Sequence, residues 1–442
     1  MAGIASLAKS LDYKVTGCDQ NIYPPMSTQL KEQGISIIEG FDIGQTALNP
    51  DMYIIGNVIS RGNPLMETIL NNNLAYQSGP QWLYENILHN KWVLAVAGTH
   101  GKTTTTAMLA WILEYNEFAP GYLIGGIPDN FKSSARLPIE NKKNTPSFFV
   151  IEADEYDTAF FDKRSKFIHY HPRTLVLNNL EFDHADIFDN VEHIKKHFHH
   201  LIRMIPQDGK LIVNNESEAL NETLAMGVWS EIEYFSHTNG WSYQLKNGWQ
   251  SILIFYQNKK QGLLNWNLIG HHNATNALAA ISAARHVGIT PEKAIEALSS
   301  FKGVKKRMEK IAAFKNGIIL YDDFAHHPSA IKTTLEGLKK TKCKGRIIAV
   351  IEPRSNTMKL GSMKKELIKS LKDANKVYCF ADQLSWDAKE LFSLYSNVIV
   401  SDNIDSIAQS IANDQQNEDQ IIFMSNGLSL IHISEPTRRT SI

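Results

Sequence analysis

With 442 residues, the chain is long enough for about three domains of ordinary size, each with a substantial core. Its 43% hydrophobic and 21% charged residues exclude a disordered or fibrous chain, and a net charge of −1 offers no electrostatic case for nucleic acid or an anionic membrane. The scattered Cys18, Cys343 and Cys379 indicate neither a disulfide framework nor a cysteine zinc site, and without a long apolar run or a leader the expected compartment is a reducing cytoplasm.

The chain opens on a helix and then a strand at 14–18, without the strand and glycine loop that a nucleotide-binding βαβ unit places before its first helix. Ala2-Gly3 reads as the tail of such a loop and Met1 as an internal methionine. Short strands at 14–18, 36–38 and 52–55 alternate with helical stretches as far as residue 88. At 92–97 an apolar strand runs into Gly98-Thr99-His100-Gly101-Lys102-Thr103, and a helix-permissive segment follows. Strand, glycine turn and helix N-terminus in that order aim backbone N–H groups and a positive dipole end at one spot, which suits a phosphate. Lys102 is placed to reach the outer phosphates of ATP, and the Thr103 hydroxyl to ligate its Mg²⁺. Val96 stands where the general phosphate-loop pattern has a glycine, six residues before the lysine. An ordinary glycine-rich turn is the plain alternative.

Further strands at 147–153, 174–178 and 210–214 are apolar enough for a buried parallel sheet, and helices follow at 273–287 and 291–300. After Gly303 a new βα series begins, with strands at 318–321, 346–351, 376–380, 398–400 and 421–424. The expected fold class is α/β, with three successive α/β domains. These are a truncated Rossmann-like N-terminal domain (1–88), a central P-loop ATPase-like domain with a parallel sheet (89–302) and a C-terminal Rossmann-like domain (303–427). Residues 428–442 show neither helical nor strand period and read as a non-native tail, with a genuine flexible tail as the alternative.

Two acid-bearing strand ends and one helix face carry the remaining chemistry. Glu152, Asp154, Glu155 and Asp157 fall within six residues at the end of strand 147–153, on the sheet edge where such folds bind ligands. Hard oxygens there would hold Mg²⁺ against ATP; a solvated acidic turn is the alternative. The next strand ends in Asn178-Asn179-Leu180-Glu181-Phe182-Asp183-His184, and a histidine flanked by acids in that place reads as a second metal ligand. Asn273 and Asn276, three apart on one helix, can turn both amides to one adenine edge, or can be a helix cap and a surface amide. Arg354, after strand 346–351, has the planar fork that clamps a carboxylate, or is a solvated loop arginine.

GTHGKTTT, EADEYD, NLEFDHADIF, HHNATNALAA and DDFAHHP, in this order, resemble the Mur ligase family, the ATP-dependent amide ligases of peptidoglycan synthesis; the resemblance spans 1–427. HHNATN and DDFAHHP are similar to the branch that adds L-alanine to UDP-N-acetylmuramate. GGIPDNFKSSARL, EADEYDTAFFDKRSKFIHYHPRT, NNLEFDHADIF and EPRSNTMKLG look closer to the branch that adds L-alanyl-γ-D-glutamyl-meso-diaminopimelate in murein recycling. The resemblance implies ATP and Mg²⁺ as cofactors, UDP-N-acetylmuramate and the tripeptide as substrates, an acyl-phosphate intermediate, and no nucleic acid, membrane or obligate protein partner. It implies catalytic roles for Lys102, Glu152 and His184, and metal ligation by Thr103, Glu152 and His184. Gly98, Thr99, His100, Gly101, Lys102, Thr103 and Thr104 would surround the phosphates, with Asn273 and Asn276 at the adenine. Arg307 would reach the phosphates on closure, Asp323 would face the ribose and His326 the phosphate end. Asn130, Ser133, Arg136 and Arg354 would meet substrate. A phosphate-loop kinase or NTPase, or a non-catalytic nucleotide-binding protein, are the competing classes.

Overall fold

The computed structural model describes residues 1–22, 26–139, 146–183, 185, 187–341, 344–382 and 384–427. His184, Cys343 and the segment 428–442 lie outside the described residues. Three α/β units follow one another. The first holds two small parallel pairs, Thr16–Asp19 with Ser36–Glu39 and Tyr53–Ile55 with Tyr76–Ser78. Its first helix, Ala2–Ser10, buries Leu7 among central-domain side chains, and Gly3 permits the approach, since a Cβ there would lie 2.3 Å from Leu123 Cδ1.

The second unit is a ten-stranded sheet with Trp92–Ala97 between Phe148–Ala153 and Thr174–Leu177, all parallel. Both faces of these strands are covered, which explains their unbroken apolar runs. Alternate residues serve different cores. Leu94, Val96, Val150 and Val176 meet helices Lys102–Tyr115 and His271–His286, while Val93, Ala95, Ile151 and Leu175 meet Phe198 and Leu201 of Val191–Ile202. Helix His271–His286 packs close because its inward positions are Ala274, Ala277, Ala280 and Ala284. Register pairs Val96 with Glu152 and Ala97 with both Ala153 and Leu177, so the three strands end level.

The sheet is parallel only in its middle. Trp241–Leu245, Ser251–Tyr256 and Lys259–Asn265 form antiparallel neighbours at one edge, and Ala135–Arg136 runs antiparallel at the other. The strands expected to form a parallel sheet do so, and the antiparallel strands are added at its edges. Gln257 and Asn258 make the last hairpin turn with φ of 48° and 61°, the primed turn that matches strand twist.

The third unit is a six-stranded sheet, parallel except for Glu309–Ala313 at its edge, with Ile347–Ile351 between Gln420–Met424 and Lys376–Phe380. The linker into it changes allegiance abruptly. Asp129 N–H donates to Gly303 O and Lys305 N–H to Ile127 O, tying 303–305 to the central domain. Phe324 N–H donates to Lys306 O and Met308 N–H to Asp323 Oδ2, tying 306–308 to the third. Lys306 and Met308 hold φ of 58° and 52° on either side of Arg307. Among the described residues no helix is long and apolar enough to cross a membrane.

Candidate active site

The level strand ends gather the site. Gly98 and Gly101 adopt φ of 146° and 80°, open to glycine and strained for other residues. A Cβ on Gly101 would stand 2.7 Å from Asn276 Oδ1 and 3.0 Å from Asn178 Nδ2, so side chains press the loop from beneath. Asn179 completes the brace, accepting from His100 N–H at 2.7 Å and donating to His100 O at 3.1 Å. Asn178 Nδ2 donates to Thr105 Oγ1 at 2.9 Å. The sequence reading passed over Asn178 and Asn179 as loop braces; their signal was two amides at the end of the strand beside the loop strand. Gly101→Ala is expected to weaken ATP binding at least ten-fold in calorimetry, because the loop must unwind or displace Asn276.

Lys102 Nζ donates to Gly98 O at 2.6 Å and to Glu155 Oε2 at 3.0 Å, with Asp154 Oδ1 at 3.9 Å. Burial opposes its charge, but Glu155 and Asp154 outweigh it and raise the amine above its ordinary range. Thr103 Oγ1 donates to Glu152 Oε2 at 3.2 Å and accepts from Arg307 Nη2 at 3.2 Å. Glu152 Oε1 takes the Gly125 N–H at 2.6 Å. Burial first, and Asp154 second, push the Glu152 carboxyl up to about 7. The rest of the acidic run is paired: Asp154 with Lys166 at 3.6 Å, Asp157 with Lys163 at 2.6 Å.

From the third domain, Arg307 lays its guanidinium over the Phe324 ring at 4.3 Å while reaching Thr103. Asp323 is buried and accepts from Met308 N–H at 2.6 Å and Ala325 N–H at 2.8 Å, which makes it the fastener of the linker. His326 Nδ1–H donates to Phe324 O at 2.9 Å, and burial lowers the ring to about 4. Thr357, after Arg354, donates to Asp183 Oδ1 at 3.1 Å and accepts from Ala185 N–H at 3.2 Å, bringing Thr357 of the EPRSNTMKLG segment onto Asp183 and Ala185. Arg354 Nη1 stands 3.6 Å from Glu352 Oε1.

The structure thus brings together the loop 98–104, Glu152, Arg307, Asn276, Asp323 and His326. Asn273 turns its amide to Ile269 O at 2.7 Å, one turn back along its helix. Three other sequence candidates are engaged in scaffold bonds. Asn130 joins Ser300 O at 3.1 Å to Lys302 N–H at 2.7 Å, Ser133 donates to Ala135 O at 2.9 Å, and Arg136 holds Glu114 at 3.1 Å and Pro120 O at 2.9 Å. One grouping was invisible in the sequence: His100, Glu181 and His327, which each bring one polar atom to within 4.8 Å of the other two.

Comparison with known proteins covers nearly the whole chain. Residues 1–91 match the Mur ligase family, catalytic domain; 96–284 the Mur ligase middle domain; and 306–427 the Mur ligase, glutamate ligase domain. The UDP-N-acetylmuramate–L-alanyl-γ-D-glutamyl-meso-2,6-diaminoheptandioate ligase of Haemophilus influenzae is 48% identical over 97% of this chain and 94% of its own. The UDP-N-acetylmuramate–L-alanine ligase of Clostridium perfringens is 31% identical over 81% of this chain and 75% of its own. The crystal structure of a murein peptide ligase from Psychrobacter arcticus superposes with a TM-score of 0.77 at 42% identity, covering 100% of this chain and 97% of that one. With the loop, the acid-tipped strands and all three domains accounted for, the chain belongs to the Mur ligase family.

Proposed function

We propose that this protein is the ATP-dependent ligase that joins the lactyl carboxylate of UDP-N-acetylmuramate to the α-amine of L-alanyl-γ-D-glutamyl-meso-diaminopimelate in murein recycling. The observation that carries the reading is the meeting of Lys102, Thr103 and Glu152 with Arg307 at one phosphate loop. The choice of tripeptide over L-alanine rests on 48% identity against 31%, the higher figure also spanning more of both chains.

A carboxylate resists amines because oxide is a poor leaving group. Its oxygen first bonds to the γ-phosphorus of ATP as ADP departs; the tripeptide amine then bonds to the carbonyl carbon, and phosphate leaves with the transferred oxygen and the electron pair of the broken bond. The protein's part is positioning and charge. Lys102 moves from Gly98 O to the β- and γ-phosphates. Arg307 adds a second cation from the third domain. Thr103 and Glu152 fit a magnesium ion by the chemistry of their donors, a carboxylate oxygen and a hydroxyl oxygen 3.2 Å apart beside the acidic Asp154. That ion, when bound, neutralises charge across the phosphates. His184 is assigned a second ion; Asn273 and Asn276 the adenine side, with Asn276 also bracing Gly101; Asp323 and His326 the ribose and phosphate end.

The deciding assay is phosphate release from ATP with UDP-N-acetylmuramate, comparing the tripeptide, L-alanine and no amine. Preference for L-alanine would move the protein to the alanine branch, and amine-independent turnover would make it an NTPase. Arg354→Lys should raise KM for the tripeptide several-fold and leave ATP affinity near normal, because an ammonium cannot replace the two parallel bonds of a guanidinium to a carboxylate. An unchanged tripeptide KM would remove Arg354 from the acceptor site.

A further inference from the structure

Three side chains outside the Thr103–Glu152 pair converge from separate elements. His100 comes from the phosphate loop, Glu181 from the loop after Thr174–Leu177, and His327 from the N-cap of third-domain helix Pro328–Lys339. His100 Nε2 lies 3.3 Å from His327 Nδ1 and 3.6 Å from Glu181 Oε2, and His327 Nδ1 lies 3.7 Å from the same carboxylate oxygen. A tetrahedral ion with ligand bonds of about 2.0–2.2 Å separates its donors by about 3.3–3.6 Å, the edge of the tetrahedron. The three observed separations are those edges to within a few tenths of an ångström.

The ring orientation of His327 is a second, independent observation. Its Nε2 lies 3.2 Å from Phe182 O, and a carbonyl only accepts, so Nε2 carries the proton. In the neutral ring the Nδ1 lone pair therefore faces the shared centre, where it also accepts the Ser329 N–H at 3.3 Å as the helix cap, a long bond that a bound ion would replace. A backbone carbonyl on the far nitrogen is how metal-binding histidines are commonly aimed. Burial lowers the proton affinity of His327, which favours the neutral ring. Burial opposes ionisation of Glu181, but the His100 contact and the Ser329 hydroxyl overcome it and hold the carboxyl down at about 2. Ser329 Oγ, 2.9 Å from His100 Nε2 and 2.7 Å from His327 Nδ1, adds an oxygen on the same side.

We propose that His100, Glu181 and His327 form a binding site for a zinc-class divalent cation that joins the phosphate loop to the third domain. Two imidazoles and one carboxylate are the donor set of a borderline cation, whereas Mg²⁺ takes oxygens. An occupied site would fasten His100 to His327 across the domain junction, so the cation would act as a brake on turnover.

The test uses the full-chain enzyme, metal-free and without nucleotide, titrated with Co²⁺ as the probe. The expected result is one equivalent of Co²⁺ with the intense visible bands of tetrahedral coordination, displaced by Zn²⁺. Glu181→Gln keeps shape and hydrogen bonding but removes the anionic ligand, and should weaken Co²⁺ at least ten-fold with an unchanged circular-dichroism melt. His100→Gln should do the same, while Glu152→Gln should keep the tetrahedral bands. Absence of those bands in the parent, or equal affinity in Glu181→Gln, overturns the proposal and leaves the three side chains as a hydrogen-bonded latch.

Discussion

Lys102→Ala is expected to lower the ligation rate by well over ten-fold, since loss of a phosphate contact made in the transition state costs at least ~1.4 kcal/mol. The sequence alone suggested that the fold would be indifferent to this change, because Lys102 meets charge rather than core. The structure adds a cost. Glu155 is 2% exposed and Lys102 Nζ sits 3.0 Å from it, so the alanine variant strips a cation from a buried carboxylate. A melting temperature several degrees below the parent should accompany the lost activity. Lys102→Ala combined with Glu155→Gln should recover the melting temperature and none of the activity. A single variant keeping more than about a tenth of the rate would remove Lys102 from the chemistry.

Glu152→Gln should separate stability from catalysis in the opposite sense. The folded carboxyl sits at about 7 against an ordinary 4.5, so the folded protein binds a proton that the unfolded chain has released. The raised value therefore stabilises at low pH and loses that advantage as pH rises from 4.5 through about 7. At pH 8 the ligand-free parent carries the full penalty, on the order of 3 kcal/mol at most. Glutamine carries no such charge, still accepts from Gly125 N–H, and can donate to Thr103. The variant should melt higher than the parent at pH 8, converge with it near pH 5, and ligate at least a hundred-fold more slowly at ordinary Mg²⁺. Thermal scans at the two pH values check the first claim, and a Mg²⁺ titration of phosphate release checks the second. A lower melting temperature at pH 8 would mean that the carboxylate is satisfied without a cation.

What the sequence could disclose follows from how local each feature is. Gly98 to Thr103 is one contiguous turn, and both its strand-before, helix-after setting and its positive-φ glycines belong to that stretch alone. Glu152 was legible because an apolar run ending in acids marks a strand tip in any parallel sheet. Arg307 became legible only through resemblance, since nothing in its neighbours says that Phe324 supports it. The edge hairpin at Ser251–Tyr256 and Lys259–Asn265 was missed although its alternation was present, because Gln257-Asn258 lacks the glycine that usually marks such a turn. The meeting of His100 with His327, 227 residues apart, depends on how two domains dock, and no periodicity encodes that.

The linker assigns Arg307 to one side of a pivot. Residues 303–305 are bonded to the central domain and 306–308 to the third, so the joint falls between Lys305 and Lys306, just before the arginine. Rotation about that joint would carry the guanidinium away from Thr103 together with Phe324 and Asp323. An enzyme opened in this way would present a phosphate loop with one cation fewer, and closure would restore it. Nucleotide affinity and interdomain angle become two readings of a single equilibrium: whatever factor closure adds to ATP binding, ATP must return to closure. A substrate that wedges the third domain open would then expel nucleotide without touching it.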